Sequence, residues 1–131
     1  MAFSDSQPKV SLIAGATFAS SDLYKFVSVD GSGHAVVGPT TASGAVGTLL
    51  SVTATTGGAG SEVVAVGQLA GIGKVRMAGS TLSAGYTIAG SSNGLGIAPT
   101  TDQAAIGTIV SGSSGTTGRI ASVMFHKSAN V

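Results

Sequence analysis

Few side chains in this sequence could take part in acid–base, nucleophilic or metal chemistry. The 131 residues include five carboxylates, two histidines and no cysteine, so a disulfide, a thiolate metal site and a cysteine nucleophile are excluded. A zinc site would need His34 and His126 to meet a carboxylate such as Asp102. His34 follows a predicted turn and His126 follows the last predicted strand, so no motif brings them together. We expect neither a metal nor any other cofactor.

Local structure explains the carboxylates and hydroxyls better than catalysis does. Asp30 belongs to an Asp-Gly turn, Asp5 lies in a polar N-terminal segment, and Asp102 follows a Pro-Thr-Thr loop. Serine is abundant, but no Gly-x-Ser-x-Gly elbow lies between a strand and a helix, where it would hold a nucleophile. The sequence therefore predicts a protein that is not an enzyme. An enzyme would need a pocket in which a histidine and a carboxylate converge.

Charge is sparse and scattered along the chain. Asp, Glu, Lys and Arg make up 8% of the residues and the net charge is +1, whereas an average soluble domain has about 25% charged residues. A nucleic-acid binder needs clustered cations, but only Lys74 and Arg76 lie near each other, at the spacing of outward-facing strand residues. We expect no nucleic-acid partner. No apolar run suits a membrane helix and no signal peptide is visible, so we expect a soluble protein made in a cytoplasm, without a membrane partner.

Short β-strands must position these residues. The 21 glycines recur along almost the whole chain, and glycine costs up to about 1 kcal/mol relative to alanine in a helix interior. Asp30-Gly31 and Asn93-Gly94 are hairpin signals, because both central residues of a type I′ turn need a positive φ. Apolar segments between such turns predict nine strands, at residues 23–29, 34–37, 46–54, 62–69, 72–77, 86–89, 95–98, 105–110 and 119–125.

We expect one all-β domain at residues 10–131, a small barrel or sandwich, preceded by an extended N-terminal arm at residues 1–9. A chain of this length buries about two thirds of its unfolded surface. The core is expected to be mostly Ala and Val, since aromatic residues make up only 5%. Small side chains bury little area each, so contacts with further copies or with a partner would add to stability.

The two halves of the sequence resemble each other. Ala14-Gly15-Ala16-Thr17 returns as Ala78-Gly79-Ser80-Thr81, and Gly47-Thr48-Leu49-Leu50 returns as Gly107-Thr108-Ile109-Val110. In each half a Gly-rich linker and a further strand follow. Segments rich in Gly, Ala, Ser and Thr also align by chance, so a true duplication and a chance likeness are both open. A true duplication predicts two similar sheets.

The N-terminal segment is polar, with one large apolar side chain, Phe3. Such ends are usually disordered, and the alternative is an arm that becomes ordered when Phe3 docks on a neighbouring subunit or partner. We single out Phe3, Gln7 and Pro8 as candidate contact residues. The Gly-rich connections at residues 56–61 and 112–118 are expected at an exposed end or at a contact between subunits.

Several Gly-containing segments together resemble the capsid cement, or decoration, proteins of tailed bacteriophages. The segments are Ala14-Gly15-Ala16, Asp30-Gly31, Gly47-Thr48-Leu49-Leu50, residues 59–67, residues 78–86, Gly107-Thr108-Ile109 and the closing strand at 119–125. The resemblance covers residues 14–125 and depends on the spacing of glycines and small apolar residues. Members often place an Asp at a step that Asp22 fills in the first half and Tyr86 occupies in the second.

This resemblance implies a structural virion protein with a β-barrel-like domain of the β-tulip kind. Such proteins bind the outer surface of an icosahedral head as homotrimers at threefold positions, bridge neighbouring capsomers and stabilise the shell. The implied partners are the phage major capsid protein and further copies of the chain. The alternative is a tail, fibre-tip or adhesin β-domain that binds a host surface. A glycan site usually needs exposed aromatic rings, and the four Phe and two Tyr residues lie partly in predicted strands.

Overall fold

The computed structural model describes residues 7–38, 44–53, 62–79, 83–99, 105–112 and 118–126. One short 3-10 helix, Ser20–Asp22, lies between the first two strands. The strands are β1 (Lys9–Ile13), β2 (Phe26–Val29), β3 (Ala35–Val37), β4 (Gly47–Leu49), β5 (Val63–Gln68), β6 (Ile72–Arg76), β7 (Thr87–Gly90), β8 (Gly96–Ile97), β9 (Gly107–Ser111) and β10 (Ile120–Phe125).

The strands form two antiparallel five-stranded sheets with the same topology. The first sheet has the order β1-β5-β4-β2-β3 and the second has the order β6-β10-β9-β7-β8. When β1 to β5 are matched in chain order with β6 to β10, every strand pairing of the first sheet recurs in the second. The chain is therefore a structural duplication. We call residues 7–69 the first unit and residues 70–126 the second unit.

The match between the units extends to individual hydrogen bonds. The N–H of Ala14 donates to the carbonyl of Glu62 at 2.7 Å. At the same point of the second unit, the N–H of Met77 donates to the carbonyl of Arg119 at 2.8 Å. Ala14 therefore corresponds to Met77. The alignment of Ala14 with Ala78 in the sequence is wrong by one residue, because backbone pairing and not the Ala-Gly motif sets the register.

Each unit has its own apolar core. The first core consists of Ala14, Phe18, Val27, Ala35, Leu49, Val64 and Val66. The second core consists of Phe26, Val75, Met77, Ile88, Ile109, Ala121, Val123 and Phe125. Phe26 belongs to the first unit but packs in the second core, while its neighbour Val27 packs in the first, because successive strand residues point to opposite faces. As a result β2 is buried on both faces and connects the two cores.

The fold is all-β, as predicted, and the two antiparallel sheets are consistent with a small β-sandwich. Neither sheet closes into a barrel. In the first sheet the edge strands meet at one isolated parallel bridge, between Ala14 and Ala35, and in the second at one between Met77 and Gly96. With only one bridge between them, the two edge strands of each sheet are not joined by a continuous ladder of hydrogen bonds. The barrel alternative is therefore not realised.

The nine predicted strands all exist, most with shorter ends and two, β7 and β9, ending one residue later than predicted, but β1 is missing from the prediction. β1 begins at Lys9, inside the segment predicted as an arm, and pairs with β5 from Lys9 opposite Gly67 to Ile13 opposite Val63. Its first four residues, Lys-Val-Ser-Leu, alternate polar and apolar side chains as a strand does, so the prediction overlooked a signal that the sequence carries, although four of the five residues are exposed. The last part of the predicted arm therefore belongs to the sheet.

Candidate interaction surfaces

The N-terminal segment enters the fold at a buried glutamine. Gln7 is 7% exposed, and its Nε2 donates to Thr48 Oγ1 at 3.1 Å and to the carbonyl of Gln68 at 2.9 Å. A Cβ atom at Gly67 or Gly73 would overlap the Gln7 side chain. These two glycines, one in β5 and one in β6, make room for the glutamine between the units. Gln7 therefore fastens the N-terminal segment at the junction of the two units.

The three predicted contact residues have different surroundings. Phe3 lies outside the described residues. Pro8 is exposed, and its carbonyl accepts a hydrogen bond from the N–H of Gln68 at 2.8 Å. Gln7 is turned into its own chain and has little surface left for a partner. The contact role of Phe3 and Pro8 stays a prediction, and the structure places Gln7 as the anchor from which the segment leaves the fold.

An edge strand with an exposed apolar end follows this anchor in the chain. β1 is an edge strand of the first sheet. Ile13, which is 42% exposed, lies directly opposite Val63 of β5, which is 60% exposed. Edge strands present unpaired backbone groups, so an exposed apolar pair at an edge is an open template for association. We call Lys9–Ile13 together with Val63 the β1 edge.

A second open surface is the turn that precedes β7. Residues 83–87 are all exposed, and the ring of Tyr86 is 54% exposed. The matching segment of the first unit, residues 22–26, is half-buried and ends in the fully buried Phe26. We call residues 83–87 the Tyr86 turn. Its exposure distinguishes two segments that occupy the same position in the fold.

The two cations that lie closest in the sequence hold the units together. Arg76 Nε donates to the carbonyl of Leu23 at 2.9 Å, and its Nη1 donates to the carbonyl of Gly118 at 3.1 Å. Lys74 Nζ lies 5.8 Å from the centroid of the Tyr24 ring, within the range of a cation–π contact. The guanidinium of Arg76 is thus bound by carbonyls of its own chain, where it joins the second sheet to the turn before β2.

The two described aspartates with shifted pKa values have structural partners. Burial would raise the pKa of Asp22, but a hydrogen bond from the Ala19 N–H and the ion pair with Lys25 at 3.0 Å outweigh it and lower the pKa. The N–H of His34 donates to Asp30 and lowers the pKa of that carboxyl in the β2–β3 turn. Neither aspartate has the raised pKa that a general acid at neutral pH requires.

The two histidines belong to different units. His126 Nε2 is 2.7 Å from Thr108 Oγ1 beside β9, while His34 lies in the β2–β3 turn, and Asp102 lies outside the described residues. Within the described ranges, no group of three His, Cys, Asp or Glu side chains could hold a metal ion. In the same part of the chain, no helix is long and apolar enough to cross a membrane. The candidate functional features of the described residues are therefore the two contact surfaces, the β1 edge and the Tyr86 turn.

The two Gly-rich connections fall largely outside the described residues. The connection at 56–61 lies wholly outside, and of the one at 112–118 only Gly112 and Gly118 are described. Both have φ near +90°, at +88° and +87°, a backbone conformation that glycine adopts without steric cost. The expected place of these connections at an exposed end or a subunit contact stays a prediction.

No protein-family model matches the chain, and no curated protein matches it significantly. The fold and the surfaces define the class: an all-β protein built from two copies of a five-strand unit, with an apolar edge at one unit and an exposed turn at the other.

Proposed function

We propose that this protein is a structural virion component, a cement protein that binds the outer surface of a phage head and bridges neighbouring capsomers. The observation that carries this proposal is the open β1 edge, which starts next to the buried anchor of the N-terminal segment and ends at the exposed apolar pair of Ile13 and Val63. An edge strand and a segment tethered next to it are both suited to binding another protein through backbone and apolar contacts. The resemblance to cement proteins supplies the biological setting.

The surface chemistry agrees with this role. With few charges and a net charge of +1, the protein associates through shape and apolar contact. Such contacts depend little on ionic strength, since salt screens mainly the interactions between exposed charges. Many identical contacts on a closed shell add up to high avidity even when each one is weak. The protein would therefore stay on the head across a wide range of salt concentrations.

In this proposal the N-terminal segment is the part that grips a partner. Gln7 holds its end at the junction of the units, and Phe3 and Pro8 supply contact area on the major capsid protein or on a neighbouring copy. Homotrimers at threefold positions would place three such segments across subunit boundaries. The mature protein would be found on the outer capsid surface, after synthesis in the host cytoplasm, and would need no cofactor.

Co-sedimentation with expanded heads that lack the protein tests the proposal. We expect saturable binding, at one copy per major-capsid subunit, that is the same at low and at high salt. Absence of binding to heads, under conditions in which the protein is folded, would contradict the cement role. Binding to tails or to host cells in a parallel assay would then support the tail, fibre-tip or adhesin alternative.

A further inference from the structure

The two units of the chain meet through two unlike surfaces. The N–H of Arg76 on β6 donates to the carbonyl of Tyr24 at 2.9 Å, and the N–H of Phe26 donates to the carbonyl of Gly94 at 2.7 Å. Lys74, also on β6, lies over the Tyr24 ring. The turn before β2 of the first unit therefore docks on the edge strand and the β7–β8 turn of the second unit.

This contact is closely packed. A Cβ atom at Gly94 would lie 2.9 Å from the carbonyl oxygen of Phe26 and 2.8 Å from Val37 Cγ1. A Cβ atom at Gly90 would lie 3.1 Å from the Phe26 ring. Distances this short show that the fit between the two surfaces depends on the shape of the backbone.

The docking turn has a counterpart in the second unit. The N–H of Tyr24 donates to the carbonyl of Leu49 in β4, and the N–H of Gly85 donates to the carbonyl of Ile109 in β9, both at 2.8 Å. Tyr24 and Gly85 both have a positive φ, of +69° and +94°. The Tyr86 turn therefore presents the same backbone conformation as the turn that docks within the chain.

The receiving edge has a counterpart in the first unit. Arg76 lies opposite Ile120 at the end of β6, and Ile13 lies opposite Val63 at the end of β1. The N–H of Ile13 points away from β5, because the adjacent residue Ala14 donates to that side. No described residue accepts a hydrogen bond from the N–H of Ile13. Ile13 is therefore placed as Arg76 is, but without an acceptor corresponding to Tyr24.

Exposure differs between the used and unused copies of both surfaces. β6, which receives a turn, alternates between half-buried and buried residues, whereas β1 is exposed at four of five positions. Residues 22–26, which dock, are half-buried or buried, whereas residues 83–87 are all exposed. In each unit, the surface that stays open is the counterpart of the one that is covered in the other unit: the edge strand in the first unit and the turn in the second.

We propose that the Tyr86 turn of one copy docks on the β1 edge of a second copy, as the turn before β2 docks on β6 within the chain. The N–H of Ile13 then donates to the carbonyl of Gly85 in the second copy, and the docked turn covers the apolar side chains of Ile13 and Val63. This inference rests on the proposed function only in that a cement protein acts in several copies. The surfaces themselves follow from the duplication.

A contact of this kind is head-to-tail, so a docked pair still carries one open edge, on one copy, and one open turn, on the other. Such contacts repeat until the rotation closes a ring, or continue as a filament. Within the chain the same kind of contact occurs once, where the turn of the first unit docks on the edge strand of the second. In such an assembly, similar contacts would therefore join successive units, alternately within one chain and between two chains.

Two variants with opposite defects test the head-to-tail arrangement in the free protein. Ile13→Asp places a charge on the β1 edge, and Tyr86→Asp places one on the turn. We expect the wild type to sediment as an oligomer and each variant alone to sediment as a monomer. An equimolar mixture should form a heterodimer, because the Ile13→Asp copy keeps an intact turn and the Tyr86→Asp copy keeps an intact edge. Val52→Asp, at an exposed valine outside both surfaces, is the matched control and should associate as the wild type does.

Cysteine pairing gives a second measurement, since the chain has no cysteine of its own. Oxidation of mixed Ile13→Cys and Tyr86→Cys proteins should yield a covalent dimer that contains one copy of each. The proposal would be overturned by a wild type that is monomeric at all concentrations or by single variants that associate like the wild type. It would also be overturned by a mixture that forms neither the heterodimer nor the mixed disulfide. Circular dichroism of each variant confirms that it is folded. Both measurements use the free protein without phage heads, so their outcome does not depend on whether the protein binds heads.

Discussion

Tyr24 and Gly85 occupy the same position in the two units, and both have a left-handed backbone conformation. Glycine adopts this conformation freely, whereas a side chain with a Cβ atom pays about 1–2 kcal/mol. Tyr24 nevertheless lies there, with its ring near Lys74 and its carbonyl bound to the N–H of Arg76. The strained residue is thus the one that lies in the contact between units, and its relaxed counterpart lies in the open turn.

Substitutions of Tyr24 separate backbone strain from ring contact. Tyr24→Ala removes the ring and keeps the strain, while Tyr24→Gly removes both. We expect the glycine variant to be more stable than the alanine variant by about 1 kcal/mol in urea-induced unfolding. Gly85→Ala is the matched change in the other unit and should destabilise by a similar amount. Equal stability of the two Tyr24 variants would mean that the backbone at this position is not strained.

Gln7 should contribute to the stability of the domain although it lies in the segment predicted as an arm. Gln7→Ala leaves the buried hydroxyl of Thr48 without its partner and removes one of the donors to the carbonyl of Gln68, which keeps the N–H of Ala70 at 2.8 Å. We expect a loss of about 1–3 kcal/mol in the free energy of unfolding. Lys9→Ala, at an exposed neighbour, is the control and should change stability by less than about 0.5 kcal/mol. Similar stabilities for both variants would show that the buried glutamine bonds have no net effect.

Gly73 should tolerate a side chain only when Gln7 has been shortened. A methyl group at Gly73 would overlap the Gln7 side chain, so Gly73→Ala should destabilise by about 1–3 kcal/mol. In the Gln7→Ala background the same change should cost less, because the space has been vacated, and a double-mutant cycle measures this coupling. Gly44→Ala is the control, since a Cβ atom there meets nothing within 4 Å. Additive effects of the two substitutions would contradict direct packing.

The pKa of Asp22 predicts a loss of stability in acid. Its pKa in the folded protein lies below the ordinary value, so the folded state favours the ionised form. The stabilisation is complete above the pKa of the unfolded chain, about 3.9, and is lost as the pH falls through the lower folded value. Asp22→Asn should therefore flatten the decline of the free energy of unfolding from about pH 5 downwards. An unchanged pH profile in the asparagine variant would exclude Asp22 as a source of the effect.

Two truncations separate head binding from folding. Removing residues 1–6 should leave the described domain folded, because Gln7 and β1 remain, and should weaken binding to heads. Removing residues 1–9 also deletes Gln7 and the first residue of β1, so it should lower the urea midpoint as well. Phe3→Ala is the point variant and should weaken head binding alone. Unchanged head binding after removal of residues 1–6 would exclude the N-terminal segment as the capsid contact.

The residues that form turns allowed most of the strands to be predicted from the sequence. Asp30 illustrates this, because its carboxylate accepts hydrogen bonds from the N–H groups of Ser32 and His34, all within five residues. The corresponding turn in the second unit uses Ser91, whose hydroxyl accepts from the N–H of Leu95. Such signals depend only on near neighbours, so the strands on either side could be predicted. The likeness of the halves was visible for the same reason.

The sequence by itself determined an all-β chain of short strands, two similar halves, sparse charge and a distinct N-terminal segment. The tertiary structure decided what depends on distant residues. β1 is a strand because β5 pairs with it from fifty to fifty-eight residues away. Gln7 is buried because Gly67 and Gly73 leave space for it. Two segments with the same backbone, at Tyr24 and at Gly85, differ in exposure because only one is covered by the sister unit, and no local pattern records which face a neighbouring unit will cover.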